Sequence, residues 1–381
     1  MLLNLDKLLN NKVNIIWVVY HELVKLELIK NGVKKSQIEF IDLNFPFIKK
    51  PLLLKKIINR ILYLLFKEKA LYFFLTIACS KIYKKYSPKL WISDTAGFLS
   101  KITLPSQKMV IFHSVPYKKF YLSPYTINYD FICFPGSYHM NRFKNYYKNY
   151  DLSKKKMKMI GNLNIANFVN NKSLTNEVKY NLLNDYNLNP DWPLLIFAPT
   201  YDAFEGDQFF PNSFGDQYNA LNNFAKFLNK NKYNLLIKFH HYMHSNFENN
   251  SINKILTNPN VAIYNTLKDH DTYEGRADDL LRACDIILGE TSGLLTTAAY
   301  LNKKIIFIEP SNKHIWDETD MDKTLRPGFI CKTYDELIQA SSTYFNEDTF
   351  VDERANFVNK VFFSPNQNAY NKLEKIIIDY L

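Results

Sequence analysis

The sequence predicts an α/β protein made of two parallel-sheet domains, and three observations lead there. Short β-rich apolar runs alternate with longer helical patterns almost from end to end, the signature of helices layered on parallel strands. The 381 residues exceed what one core fills, at about 100 to 200 residues per domain. Hydrophobic residues make up 47% and charged residues 22%, which excludes disorder over most of the chain.

The strand candidates in the first half are Val13 to Tyr20, Ile38 to Leu43, Leu90 to Asp94, Met109 to His113, Asp130 to Phe134 and Met157 to Ile160. Those in the second half are Leu194 to Ala198, Asn234 to Phe239, Val261 to Tyr264, Asp285 to Leu288 and Lys304 to Ile308. They imply two separate sheets, one in a domain over residues 1–165 and one in a domain over 166–381. The polar stretch Asn162 to Asn176, rich in Asn and without an apolar period, is the expected linker. The final segment, Asn371 to Leu381, has a helical pattern.

Lys and Arg total 48 against 37 Asp and Glu, a formal net charge of +11. Lys, Asn, Ile, Tyr and Phe all run high, as an AT-rich genome produces without selection, so the charge does not by itself license nucleic-acid binding, and no nucleic acid is expected as a partner. A basic surface suits phosphate-bearing substrates or anionic lipid equally well. The longest apolar run, Ala70 to Cys79, falls short of the roughly 20 residues a membrane-spanning helix needs. The first residues lack the apolar segment and cleavage site of a secretory signal, so a cytoplasmic protein is expected. Cys79, Cys133, Cys284 and Cys331 are scattered without CxxC spacing, which argues against disulfides and cysteine-bound zinc.

Residues 51–86 read as one or two helices with a broad apolar face and clustered Lys and Arg. A core-packed helix with a solvated basic side and an interfacial helix on an anionic membrane both fit this pattern.

Chemistry concentrates at three strand exits. In Asp278 to Pro310 a helix, a strand, the turn Glu290-Thr291-Ser292-Gly293, a second helix and another strand follow one another. Such a turn offers free backbone N–H groups at a helix N-terminus, joined by the Thr291 and Ser292 hydroxyls, and suits a phosphate or pyrophosphate. An ordinary N-cap would favour the same residues. A second strand runs through Lys238 into His240, His241 and His244, where His240 is suited to meet a phosphate as proton donor or cation, or to a purely structural role. Three converging imidazoles for zinc are not expected, because positions one and four apart at a strand exit do not share a face. A third strand delivers His113 to a loop with Pro116, Lys118 and Lys119, where the imidazole could act as general base or merely pack. Leu194 to Asp202 is a weaker element whose strand exit holds Pro199 and Thr200.

Together these elements resemble a family. HSVPYKK, from His113, is similar to the HGTPxK element of the CDP-glycerol glycerophosphotransferases, the teichoic-acid primase and polymerase group. FAPTYD resembles its APTW/YR segment, KFHHY its RxHP element, ETSG its DYSS turn, and Leu325 to Ala340 its PGP-x-x-x-T-x-x-EL stretch. Order and spacing agree over roughly Trp91 to Ala340. Ser114, Val115, Asp202, Lys238, His241 and Glu290 depart from the family pattern, while both histidines and the phosphate turn remain.

The resemblance implies a GT-B architecture, two Rossmann-like domains facing across a cleft, with a terminal helix that often crosses back to the first domain. It implies transfer of glycerol phosphate, or a similar polyol phosphate, from a CDP-linked donor to a hydroxyl of a cell-surface polysaccharide or lipid-linked precursor, with release of CMP. His113, as general base, and His240 would be the catalytic residues. Lys238, Thr291, Ser292 and Gly293 would hold the donor phosphates, with Lys118, Thr200, Glu290 and Glu309 as further donor or acceptor contacts. No DxD-like element stands out, so neither metal nor other cofactor is expected, and the enzyme would work at the inner face of the cell membrane. A GT-B glycosyltransferase using a nucleotide sugar, a sugar-nucleotide 2-epimerase and a noncatalytic scaffold are the competing expectations.

Overall fold

The computed structural model describes residues 9, 12–19, 22–40, 68–93, 99–103, 105–112, 122–163, 165–166, 175–199, 210–239, 254–264, 279–290, 292–309, 325–362 and 369–381. These form two compact units. In the first, β1 (Trp17–Val19) and β2 (Ile38–Phe40) pair in parallel across helix α1 (Glu22–Lys30), burying Val19, Leu28 and Val33 together. Helix α2 (Glu68–Tyr86) leads to a four-stranded parallel sheet of β3 (Leu90–Ser93), β4 (Gln107–Ile111), β5 (Phe131–Phe134) and β6 (Lys156–Met159), in consecutive order. Helix α3 (Ser137–Tyr146) makes the crossover from β5 to β6.

The second unit holds helix α4 (Thr175–Asp185), β7 (Leu194–Ala198), α5 (Gln217–Lys230), β8 (Asn234–Ile237), β9 (Val261–Ile263), β10 (Ile286–Gly289), α6 (Gly293–Tyr300), β11 (Lys304–Ile308), β12 (Phe329–Cys331), α7 (Tyr334–Asn346) and α8 (Val351–Val361). Its six strands are all parallel and run β12-β11-β10-β7-β8-β9. The described residues therefore contain three sheets where the apolar runs implied two. The pair β1-β2 touches the first unit's larger core through Val18 but shares no ladder with its four-stranded sheet. All eleven sequence-predicted strands are present, several shorter than expected. β12 was not predicted, because a three-residue run between Pro327-Gly328 and a helix cap has too little apolar length to be read as a strand. Its approach to β11 requires glycine: a Cβ at Gly328 would lie 2.1 Å from the Ile305 carbonyl oxygen.

Of the basic helical segment 51–86, residues 51–67 lie outside the described residues. Over Thr76 to Tyr86 the core-packed reading holds, with Cys79 and Ile82 buried and Ala78, Tyr83 and Tyr86 packed on the same cluster. Lys85 and the Tyr86 hydroxyl both meet the Glu39 carboxylate, which those hydrogen bonds hold below the usual carboxylate range. All four cysteines are buried free thiols, and burial raises each pKa, to about 11 for Cys79 and about 12 for the others, so none is an activated nucleophile.

Helix α9 (Ala369–Tyr380) returns to the first unit. The alternation along β4 explains why. Val110 and Phe112 point to a core shared with α2 and α3, whereas Met109 and Ile111, with Phe131 and Cys133 of β5, point to the opposite face. That second face is covered by Ala369, Tyr370, Leu373 and Ile377, one apolar stripe of α9 at helical spacing. Tyr380 meets Phe131 edge to face at 4.9 Å, and Lys156 lies over both rings. Leu373→Ala is expected to cost about 2–5 kcal/mol, the range for truncating a fully buried leucine. Hydrogen exchange checks it: protection falls in β4 and β5 while β7 and β8 keep theirs.

Candidate functional site

The sheet order of the second unit fixes where chemistry can gather. The chain leaves β7 toward β8 and β9 on one side, then returns to place β10 and β11 on the other. The reversal lies between β7 and β10, and at such a switch point open α/β sheets leave a crevice beyond the carboxyl ends of the strands. Gly289, the last residue of β10, sits opposite Ala198, the last of β7, and a Cβ there would stand 2.5 Å from the Ala198 carbonyl oxygen. Only glycine permits this approach.

Three of the sequence motifs end side by side here. β7 passes to Pro199, β10 to Glu290 and Ser292, and the β7–β8 ladder extends to Lys238, whose N–H donates to the Phe197 carbonyl at 2.8 Å. Adjacent strands lie about 4.8 Å apart, so the β8 and β10 exits are roughly 10 Å apart, within the span of a diphosphate and its contacting side chains. His113, Lys118, Thr200, His240 and Thr291 lie outside the described residues. His113 is next in sequence to Phe112, whose N–H still pairs with Cys133 at the end of β4, and His240 follows the fully buried Phe239 at the exit of β8.

Ser292 is the residue to which the two sequence readings of the turn assign different roles. It occupies the N-cap of α6 with extended backbone (φ −141°, ψ 169°), yet its hydroxyl caps no helix N–H. Its Oγ is buried and meets no hydrogen-bond partner among the described residues, while its carbonyl accepts from Thr296 Oγ1 at 3.0 Å. The helix caps at Asp216 and Thr333 behave differently, each accepting a backbone N–H three residues on. The ordinary-cap reading of Ser292 is thereby removed. A buried hydroxyl and open N–H groups of the first helical turn remain, an arrangement that favours an anion.

Lys238 makes no ion pair among the described residues, and burial holds its ammonium below the usual lysine range. Gly293 starts α6. Glu290 is fully buried, so its carboxylate belongs to the interior side of the turn. Glu309, just past β11, lies 3.8 Å from Arg326 and 3.4 Å from Lys332. Both cations lie in the stretch Leu325 to Ala340 that the sequence singled out, but neither was named as a site residue, because nothing in the linear order linked Arg326 to Glu309. Among the described residues no group of three or more His, Cys, Asp or Glu is placed to hold a metal. At the strands' opposite, amino ends a cavity of about 280 Å³ is lined by Asp285 and Asp348, paired with Lys179 and Arg354, and by Lys304, which donates to the Tyr344 carbonyl.

These features define the fold class. The wall teichoic acid polymerase TagF matches at 16% identity and a TM-score of 0.52, over 79% of this chain and 75% of that one. A glycosyltransferase from Rickettsia africae matches at 15% and 0.53, over 96% and 89%. A UDP-GlcNAc 2-epimerase from Neisseria meningitidis, bound to UDP-GlcNAc, matches at 11% and 0.61, over 99% and 96%. The fold is thus that of the GT-B transferases and epimerases. Within that class a narrower assignment holds: residues 99–378 match the profile of the CDP-glycerol:poly(glycerophosphate) glycerophosphotransferases, and the chain belongs to this family. It is an enzyme of the glycerophosphotransferase type. No curated protein matches it in sequence.

If the Ser292 hydroxyl is not a cap, removing it should not weaken the fold. Ser292→Ala is expected to cost no stability and, by removing a buried hydroxyl that meets no partner among the described residues, to raise it by about 1 kcal/mol. Thr333→Ala, which dismantles a capping box with Glu336, should cost about 1 kcal/mol. Urea unfolding of the two variants side by side decides; an equal loss in both would restore the cap.

Proposed function

We propose that the protein transfers glycerol phosphate, or a similar polyol phosphate, from a CDP-linked donor to a hydroxyl of a cell-surface polysaccharide or lipid-linked precursor, releasing CMP. The observation that carries this reading is the uncapped, buried Ser292 hydroxyl at the head of α6, set at the sheet's switch point in a member of a CDP-glycerol transferase family. The donor's diphosphate is assigned to Ser292, Thr291, the N–H of Gly293, Lys238 and His240, with Thr200, Lys118, Glu290 and Glu309 as further donor or acceptor contacts.

In the proposed step His113 accepts the proton of the acceptor hydroxyl as its oxygen attacks the phosphorus that bears glycerol. A phosphodiester forms, the bond to the bridging oxygen breaks, and CMP leaves with that electron pair. The transferring phosphoryl spreads negative charge over its oxygens, so catalysis rests on positioning and on charges already in place. A lysine whose ammonium is penalised by burial suits this role, because a phosphate supplies the counter-charge its surroundings lack. The enzyme is assigned to the inner face of the cell membrane, held by the basic segment with Lys55, Lys56, Arg60, Lys67 and Lys69. Among the described residues no helix is long and apolar enough to cross a membrane.

His113→Ala is expected to lower transfer about 100- to 10,000-fold while CDP binding is retained, because a base aimed at the acceptor acts in the transition state. Product mass and a CDP binding isotherm measure the two; activity within about threefold of wild type returns His113 to a packing role.

Lys238→Met separates stability from function. The lysine's folded pKa is depressed, so its ammonium costs the folded state stability at neutral pH, a cost relieved as pH rises through the folded pKa. The variant should melt no lower than wild type at neutral pH, yet bind CDP more weakly by about 1.5–3 kcal/mol, with cytidine binding unchanged. Equal losses for CDP and cytidine would remove Lys238 from the phosphate site.

A further inference from the structure

A basic and aromatic surface stands out at the amino ends of the first unit's strands. The segment Ser137 to Ile160 carries seven basic residues, Arg142, Lys144, Lys148, Lys154, Lys155, Lys156 and Lys158, against one acid, Asp151. That carboxylate is engaged locally by the Ser153 N–H. Lys144, Lys148, Lys154 and Lys158 are exposed, and no ion pair among the described residues involves them.

Exposed aromatics share this corner. Tyr146 is 53% exposed and Tyr150 56%, and both rings pack against the buried Tyr147, at 4.9 and 5.5 Å. The Tyr147 hydroxyl donates to the Ser123 carbonyl, which ties in the loop carrying a third exposed ring, Tyr125, itself covered by Lys101 at 4.4 Å. The topology fixes the location. α3 runs back from the carboxyl end of β5 to the amino end of the parallel strand β6, so residues 146–155 lie at the amino edge of the sheet. The carboxyl end of β4, which leads in sequence to His113, is the other end of the same sheet.

We infer that this corner is a docking surface for an anionic lipid bilayer. The argument is charge complementarity joined to ring chemistry. Lysines without counter-ions attract a negatively charged plane, and tyrosines with an apolar body and a polar tip settle at headgroup level. Rings more than half exposed project from the surface, as contact with a plane requires, whereas an extended polyanion is held by residues lining a groove. Edge-strand lysines such as Lys158 also discourage strand pairing, but that role accounts for neither Lys144, Lys148 and Lys154 nor the tyrosines. The inference extends the membrane-peripheral reading above and is independent of the transfer chemistry.

The test uses the full chain and vesicles of equal parts phosphatidylglycerol and phosphatidylcholine, with pure phosphatidylcholine as control. Changing Lys144, Lys148, Lys154 and Lys158 together to Gln is expected to lower partitioning onto the anionic vesicles at low salt by at least about tenfold. The same drop is expected when Lys55, Lys56, Arg60, Lys67 and Lys69 are already Gln, which separates this surface from the N-terminal segment. Tyr146→Ser with Tyr150→Ser should remove the binding that persists at high salt. Melting temperature and CDP binding of every variant should match wild type; should the four-lysine protein melt lower, the pair Lys148→Gln and Lys154→Gln replaces it, with at least about a threefold loss expected. Partitioning within about twofold of wild type overturns the inference. So does unchanged vesicle binding with lost binding to soluble poly(glycerophosphate), which would assign the surface to a polymer. Loss of CDP binding in wild type itself would instead strike the donor-site reading and leave this one standing.

Discussion

The structure depends on one constraint: parallel strands joined by helical crossovers must be buried on both faces. In the four-stranded sheet the alternation of Met109 and Ile111 against Val110 and Phe112 creates two apolar faces of nearly equal demand. Helices α2 and α3 cover one. Among the described residues the local chain supplies Leu9, Ile160, Leu163 and Ala166 as buried partners for the other, and α9, more than two hundred residues downstream of β6 in sequence, completes it. The helix is therefore part of the first unit's core rather than an appendage of the second. Its polar groups are tied down as well, through Lys12 to Glu374 and Lys89 to the Leu381 carbonyl.

The same constraint locates the candidate donor site. With both faces of the six-stranded sheet occupied, strand ends are the places where backbone N–H groups and polar side chains can meet a ligand, and the reversal between β7 and β10 opens one such end. Close packing there is paid for by Gly289, and the polar groups it admits are costly. Ser292 buries a hydroxyl without a partner among the described residues, and Lys238, partly buried, has its ammonium penalised by desolvation. Groups of this kind lower stability unless a ligand satisfies them, which is why the proposed donor site is built on them. The buried Arg354 is the contrasting case: Asp348 and Asn302 take its donors, so it serves as an internal tie between α8 and the loops below the sheet.

The two ends of the first unit's sheet divide their tasks in a comparable way. The carboxyl end of β4 leads into the loop with the proposed base, while the amino end gathers lysines and tyrosines that no internal partner requires. The proposed reactive and docking surfaces would then be able to change independently of each other.

How much of this was legible in the sequence follows from the range of each signal. Period-two burial and apolar runs are local, so eleven strands could be read directly, and the Glu290 to Gly293 turn was marked as a candidate anion site through residue types alone. Helix α9 showed its periodicity but not its destination. β12 was too short to announce itself, and its place depends on Gly328 meeting Ile305, a contact between strands. The choice between cap and ligand at Ser292 could not be made from residue type, because both roles select the same hydroxyl; the structure shows that its Oγ makes no cap hydrogen bond and leaves the ligand role as the proposal. Likewise Glu309 with Arg326, and the exits of β7, β8 and β10 side by side, are products of strand order, which hydrophobic patterning leaves open because every parallel order buries the same residues. The sequence by itself determined the α/β layering and the chemical character of the turns. The tertiary structure decided which turns are neighbours, because only the crossover connections choose the strand order.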